Sequence, residues 1–351
     1  MKIRNIAFLF LISLMVGCED EDFGEIQQSQ ETFLDGEGFF IVNEGNFTQS
    51  SGSVSFYSFD SAKIYNNLFY EANNRPLGDV PQSIYVHDTT AFIVVNNSSR
   101  IEQVSLKTFG AKSSITGFKS PREMQFLNDD IAYVSDLYSD SLAVIDLNAK
   151  TRIGSIDIGR SSQAMVEASG KIFVANWSQL NHPEIENNKV MIINPDNHEV
   201  VDSVKVAKEP NSMKVDQNNN VWVLSGGGYS GDEYPVLQCI DSQKLDVIKT
   251  LQFDSKQRNP SELAININRD TLFYLNSGVY KMSITADELP TDPFVAENNR
   301  LFYALGLANG HVIVSDAINY RQKGIVYLYS KAGIKIDSVR AGIIPGFFCE
   351  K

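Results

Sequence analysis

From residue 38 onward the chain alternates apolar and polar positions in short runs, and clusters of Gly, Asn, Asp and Pro separate the runs. Phe39–Val42, Ala91–Val95, Ile131–Val134, Ile172–Ala175, Val221–Leu224, Leu272–Leu275 and Val312–Val314 are the clearest examples. Period two in β-branched and aromatic residues, bounded by turn formers, is the pattern of a strand. No long segment carries a helical period. The pattern predicts an all-β chain.

The strands recur with a fixed phrase in which Pro stands three positions before a bulky apolar residue. It reads Pro81–Ile84, Pro121–Met124, Pro210–Met213, Pro260–Leu263 and Pro345–Phe348, with Ser162–Met165 and Phe302–Leu305 as copies lacking the Pro. The starts at 81, 121, 162, 210, 260, 302 and 345 lie 40 to 50 residues apart, the period of a propeller or solenoid. After each phrase come a tight polar turn such as Asn128–Asp130 and a second strand. A loop of variable length leads to a third strand such as Leu142–Asp146 or Val190–Ile193. A further turn such as Asn148–Lys150 then precedes a fourth strand, Arg152–Ile156. Seven phrases predict seven four-stranded antiparallel blades over residues 38–351. The first repeat begins at its second strand, and the last phrase has no strand after it. Those two defects complement each other, so the C-terminal strand is expected to pair with the N-terminal blade and close the ring without a free sheet edge.

Composition narrows the class. The 351 residues carry a net charge of −13 with 43% hydrophobic positions, too apolar for a disordered chain. The acidic balance argues against nucleic acid or anionic lipid as partner. Three cysteines cannot make a disulfide scaffold, and Cys239 and Cys349 fall on distant strands. Four scattered histidines, and no HExxH, CxxC or Gly-x-Ser-x-Gly, predict neither a metal site nor a catalytic residue. The expectation is a binding protein without a cofactor, not an enzyme.

The N-terminus reads as an address. Lys2 and Arg4 precede Ile6–Val16, too short to span roughly 30 Å of hydrocarbon, and Gly17-Cys18 follows. Residues 1–17 are expected to be a signal peptide and 18–37 a polar tether containing Gln27, Gln28, Ser29 and Gln30. A small residue before cysteine resembles a bacterial lipobox, which implies lipidation of Cys18. The run Glu19–Asp22 resembles the export signal of Bacteroidetes surface lipoproteins. That implies a lipid anchor in the outer membrane with display at the cell surface, the periplasmic leaflet being the alternative.

Ala132–Asp136, Phe173–Asn176 and the Val-Ile-Asp triplet ending at Asp146 resemble the YVTN or YncE-like seven-bladed propellers. Gly38–Asn46, Gly52–Tyr57, Leu77–Pro81 and Val95–Asn97 resemble more narrowly the Bacteroidetes surface lipoproteins that include BtuG. This resemblance implies capture of a corrinoid such as cobalamin. It also implies delivery to a TonB-dependent outer-membrane transporter, with the membrane touched through the anchor alone. A protein- or glycan-binding adhesion module stays open, as does a propeller lyase or quinoprotein-like enzyme.

Loops after second and fourth strands open on one face of a propeller, and turns after first and third strands open on the other. The long insertions Asn176–Asn188, Ser225–Pro235 and Asp316–Gly324 all belong to the first face. Of the ten arginines after Arg4, eight map there: Arg75, Arg100, Arg122, Arg160, Arg258, Arg300, Arg321 and Arg340. Guanidinium groups suit phosphate, carboxylate and carbonyl oxygens, while Tyr, Trp and Asn give rigid area and two-way hydrogen bonding. The expected ligand-binding residues are Arg75, Asn96, Arg100, Arg122, Tyr138, Asn176, Trp177, Tyr229, Tyr234, Asn276, Tyr320 and Arg321.

Overall fold

The computed structural model describes residues 34–177, 186–228 and 230–351. The expected signal peptide, Cys18, most of the tether and Tyr229 lie outside the described residues. Within residues 34–351 the chain forms seven four-stranded antiparallel sheets. Each first strand contacts the first strand of the next blade, so the seven form an inner ring around an axis. Those strands are Pro345–Glu350, Pro81–His87, Pro121–Phe126, Met165–Ala168, Pro210–Val215, Ser261–Ile265 and Phe302–Ala308.

The continuous apolar runs are second strands, buried on both faces between neighbouring blades. In Thr90–Val95, Ala91, Ile93 and Val95 pack with Phe40, Val42, Val54 and Phe56 of the preceding blade. Phe92 and Val94 point the other way, onto Met124, Ala132 and Val134 of the following blade. Period two therefore assigns alternate residues to two different interfaces. Fourth strands such as Thr151–Asp157 are mostly exposed and polar, and a register shift interrupts their pairing, which blunts the outer edges.

The ring closes as the sequence predicts. Pro345–Glu350 pairs with Gly38–Asn43, placing Cys349 opposite Phe40 and Phe348 opposite Ile41, and the Lys351 N–H donates to the Gly38 carbonyl at 3.0 Å. Cys239 and Cys349 are free thiols. One helical turn, Leu68–Asn73, joins the first two blades and plugs Leu68 and Phe69 into their shared core; six residues are too few to show a period. Among the described residues no helix is long and apolar enough to cross a membrane.

The Pro of the phrase begins an inner strand, where its missing N–H costs no ladder hydrogen bond. It also packs on the neighbouring blade: a Cβ on Gly52 would overlap the ring of Pro81, so only glycine fits there. Just after the phrase begins, the inner strands at Pro81, Pro121, Pro210, Ser261 and Phe302 shift register against their second strands. Such bulges re-aim side chains, and these lie at one mouth of the axial channel.

Deleting residues 345–351 removes the inner strand of the first blade and leaves Gly38–Asn43 with an open edge. The expected outcome is a fall in Tm of more than about 10 °C, or loss of folding. Calorimetry showing an unchanged Tm would mean that the strand is an accessory.

Candidate functional site

The axis holds a cavity of about 520 Å³, lined by the first strands of all seven blades. Its mouth on the long-loop face is built from the positions that follow the opening residue of each phrase. Gln82, Arg122, Gln163, Asn211 and Tyr303 stand there in five blades. The closing strand carries Gly346 at this position, and Glu44 fills the vacant place; a Cβ on Gly346 would run into its carboxylate. In the blade of Ser261–Ile265 the bulge spans Ser261 to Ala264, and Glu262 adopts φ +59°, a left-handed conformation rare for a residue with a side chain.

Arg122 is the hub of the mouth. Its Nη1 donates to Gln82 Oε1 at 2.6 Å and its Nη2 to Gln163 Oε1 at 2.9 Å, while the guanidinium lies 5.4 Å from the Trp177 ring centroid. Tyr303 donates its hydroxyl to Glu44 Oε1 at 3.0 Å and meets Tyr320 edge-on at 5.8 Å. Asn46 donates to the Tyr320 carbonyl at 2.7 Å.

The polar residues just inside stitch one inner strand to the next. Ser83 Oγ donates to the Arg122 carbonyl at 2.8 Å, Asn211 Nδ2 to the Pro260 carbonyl at 2.8 Å, and the Leu263 N–H to Ser212 Oγ at 3.0 Å. The Met165 backbone near Glu123 and the Leu305 backbone near Glu262 favour the charged carboxylates. Protein surrounds this channel, so charge in it is poorly solvated. Burial raises the pKa of Glu44, opposed by the Tyr303 hydrogen bond and the Arg122 charge. Burial raises Glu123 too, against the pull of Lys214 and Arg122. Glu262 is pushed up to about 7, first by burial and then by the negative charge of Glu123. Burial lowers Arg122, while Glu44 and Glu123 support its charge.

Of the expected binding residues, the structure brings Arg122, Trp177 and Tyr320 together at this mouth. Tyr138 and Tyr234 are exposed on loops farther out, with Lys256 Nζ 5.6 Å from the Tyr234 ring. Arg321 is exposed, and its guanidinium has no hydrogen-bond or ion-pair partner among the described residues. Others are engaged by the scaffold. Arg75 forms a bidentate pair with buried Glu102 at 3.1 and 2.9 Å, and Arg100 donates to Glu102 at 2.7 Å and to the Leu77 carbonyl at 2.6 Å. Asn96 is buried and clamps Ser120 Oγ at 2.8 Å and the Pro121 carbonyl at 3.0 Å. Asn176 is fully buried at the end of its strand, and Asn276 is buried beside a smaller cavity near Tyr274 and Tyr280. The arginines do collect on one face, but the expected cluster of free guanidinium groups is corrected. Besides Arg75 and Arg100, Arg258 pairs with Asp254, Arg300 with the Tyr329 hydroxyl and Arg340 with the Lys323 carbonyl.

Sequence reasoning missed Glu44, Gln82, Glu123, Gln163, Lys214, Glu262 and Tyr303. The signal was present: most occupy the variable positions inside and just after the phrase that defines the repeat, which is the channel wall.

The fold and axial site define a seven-bladed β-propeller with a polar central channel. Residues 37–339 match the family described as a domain of unknown function, DUF5074, and the chain belongs to that family. No curated protein matches it. A quinoprotein alcohol dehydrogenase-like protein of Bacteroides thetaiotaomicron is similar in structure, with TM-score 0.68 and 15% identity over 89% of this chain and 78% of that one. The periplasmic gluconolactonase of Pseudomonas aeruginosa gives 0.67 and 12%, over 90% and 99%. Hydrazine synthase of Kuenenia stuttgartiensis gives 0.60 and 13%, over 76% and 88%. At these identities the likeness is one of fold.

These neighbours overturn the expectation that the protein is not an enzyme, since propellers of this type include catalysts. Counting sequence motifs was the wrong test, because a propeller assembles its axial groups from different blades.

Glu262 sets a pH dependence. Folded protein holds the Glu262 proton to about pH 7, whereas an unfolded Glu loses it near 4.3, so stability falls as pH rises through that window. Thermal melts from pH 5 to 8 should show this decline, and Glu262→Gln should flatten it and raise Tm at pH 8. An identical slope in the variant would place the burden elsewhere.

Proposed function

We propose that the long-loop face captures a large polar ligand bearing amide and anionic groups, a corrinoid being the first candidate. In this reading a lipid on Cys18 holds the protein at the outer membrane, and the ligand passes to a TonB-dependent transporter. One observation carries the proposal. Every exposed large aromatic side chain among the described residues, Phe47, Tyr70, Tyr138, Tyr234 and Tyr320, sits in a connection on this face, Tyr70 in the helical turn Leu68–Asn73 and the others in loops, 40% to 68% exposed. The opposite face exposes the aliphatic Ile267 and Ile334 instead. Aromatic rings left in water on one side only fit a recognition surface, where rigid area is gained at low entropic cost. Tyr320 stands at a mouth whose Gln82, Gln163 and Asn211 can exchange hydrogen bonds with amide arms. Arg122 and the unpaired Arg321 offer charge to an anionic group.

Calorimetric titration with cyanocobalamin should give saturable binding at micromolar protein or below, with quenching of Trp177 fluorescence. Arg321→Ala should weaken it by about 1.5–3 kcal/mol, the range of a charge-assisted hydrogen bond, without moving Tm. Neither heat nor quenching at micromolar concentrations would remove the corrinoid. Binding of purified glycans or peptides in its place would establish an adhesion module.

A further inference from the structure

Farther down the channel lies a group that capture at the rim does not use. Lys214, on the inner strand Pro210–Val215, lines the axial cavity, and its ammonium makes no hydrogen bond or ion pair with any described residue. Of the neighbouring carboxylates, Glu44 accepts from the Tyr303 hydroxyl at 3.0 Å, and Glu123 and Glu262 are both favoured in their charged form by the Lys214 charge. An ammonium has three donors and no acceptor. Glu123 and Glu262 feel the Lys214 charge, but neither closes an ion pair with it, so its donors stay open to an acceptor from outside the chain. Gln125 and Gln163 line the same space and can bond hydroxyl groups.

We propose that the channel is a second binding site, for a small hydroxylated monocarboxylate whose carboxylate is taken by Lys214, with Arg122 guarding the mouth. Charge decides when it can enter. With every group ionised the wall has three carboxylates, Glu44, Glu123 and Glu262, against two cations, Arg122 and Lys214, and repels an anion. A proton on Glu262 makes the wall neutral and adds an O–H donor. The groups that face Glu262 come from four other elements: Arg122 and Glu123 on Pro121–Phe126, Lys214 on Pro210–Val215, Tyr303 on Phe302–Ala308, and Glu44 on the loop after Gly38–Asn43. Burial raises all three carboxyl groups, and Glu262, pushed up to about 7, can change charge near neutral pH. Uptake of the anion is thus coupled to uptake of one proton.

The test is titration of the protein with glycerate, and with glyceramide as its uncharged counterpart, at pH 6 and pH 8. Glycerate should bind and glyceramide should not. The apparent affinity should be about tenfold higher at pH 6, following the fraction of protonated Glu262. Heats measured at pH 7 in buffers of different ionisation enthalpy should report net proton uptake. Lys214→Met should weaken binding at least about tenfold, Lys214→Arg should retain it, and Glu262→Gln should abolish both the pH dependence and the proton uptake. Equal affinity for glycerate and glyceramide overturns the proposal. So does wild-type affinity in Lys214→Met, or no binding up to about 10 mM glycerate. The wild-type comparison of the two ligands decides the matter even if a variant fails to fold. Cyanocobalamin binding unaffected by saturating glycerate would show that rim and channel act independently.

Discussion

The pairing of Pro345–Glu350 with Gly38–Asn43 joins the two ends of the chain, and the rest of the architecture depends on it. Without it the first blade lacks its inner strand, and Phe39, Phe40, Ile41 and Val42, all fully buried, lose one side of their cover. The fully buried Phe, Ile and Val side chains contribute roughly 1.5–3 kcal/mol each by leaving water. Closure also fixes the axis. Seven inner strands surround a channel because the seventh contact, between Pro345–Glu350 and Pro81–His87, completes the circle.

Closure explains how chemistry-bearing residues from distant parts of the sequence meet. Glu44 and Tyr303 are hydrogen-bonded although 259 residues apart, and Gln82, Arg122 and Gln163 form one relay across three blades. The bulges at the starts of the inner strands turn these side chains toward the mouth, while the tight turns at the other end keep that side short. Enclosure in protein then does the electrostatic work. It raises Glu44, Glu123 and Glu262 and lowers Arg122, so the wall's charge balance is set by burial and not by composition. A chain with net charge −13 thereby keeps a channel whose walls approach neutrality when one carboxyl is protonated.

The fold was legible because one physical pattern repeats seven times. Residues such as Ile131–Val134 or Val221–Leu224 must be apolar on both faces, since each second strand lies between two blades, and the Pro phrase marks each inner strand. The site was legible only in part. Arg122, Trp177 and Tyr320 were found through the long-loop face, but Arg75 and Arg100 were not distinguishable from them, because nothing local announces that buried Glu102 holds both. Asn96 and Asn176 end strands in the same way, and their burial follows from neighbouring blades that a strand's own sequence does not show. Glu123, Lys214 and Glu262 escaped notice because the charges that act on them come largely from other blades of the ring. The expectation of a non-enzyme was overturned by propellers of similar fold that include catalysts, a fact no local motif announces.

The central claim is that the ring is a single closed unit whose axial channel exists because the termini pair. Native-state hydrogen exchange measures this most directly, by comparing amides of Gly38–Asn43 and Pro345–Glu350 with those of the second strand Ile131–Asp136. A closed ring predicts that all three exchange only by global unfolding, with the same free energy and the same denaturant dependence. Exchange of Pro345–Glu350 through local fraying, at much lower free energy than Ile131–Asp136, would contradict it.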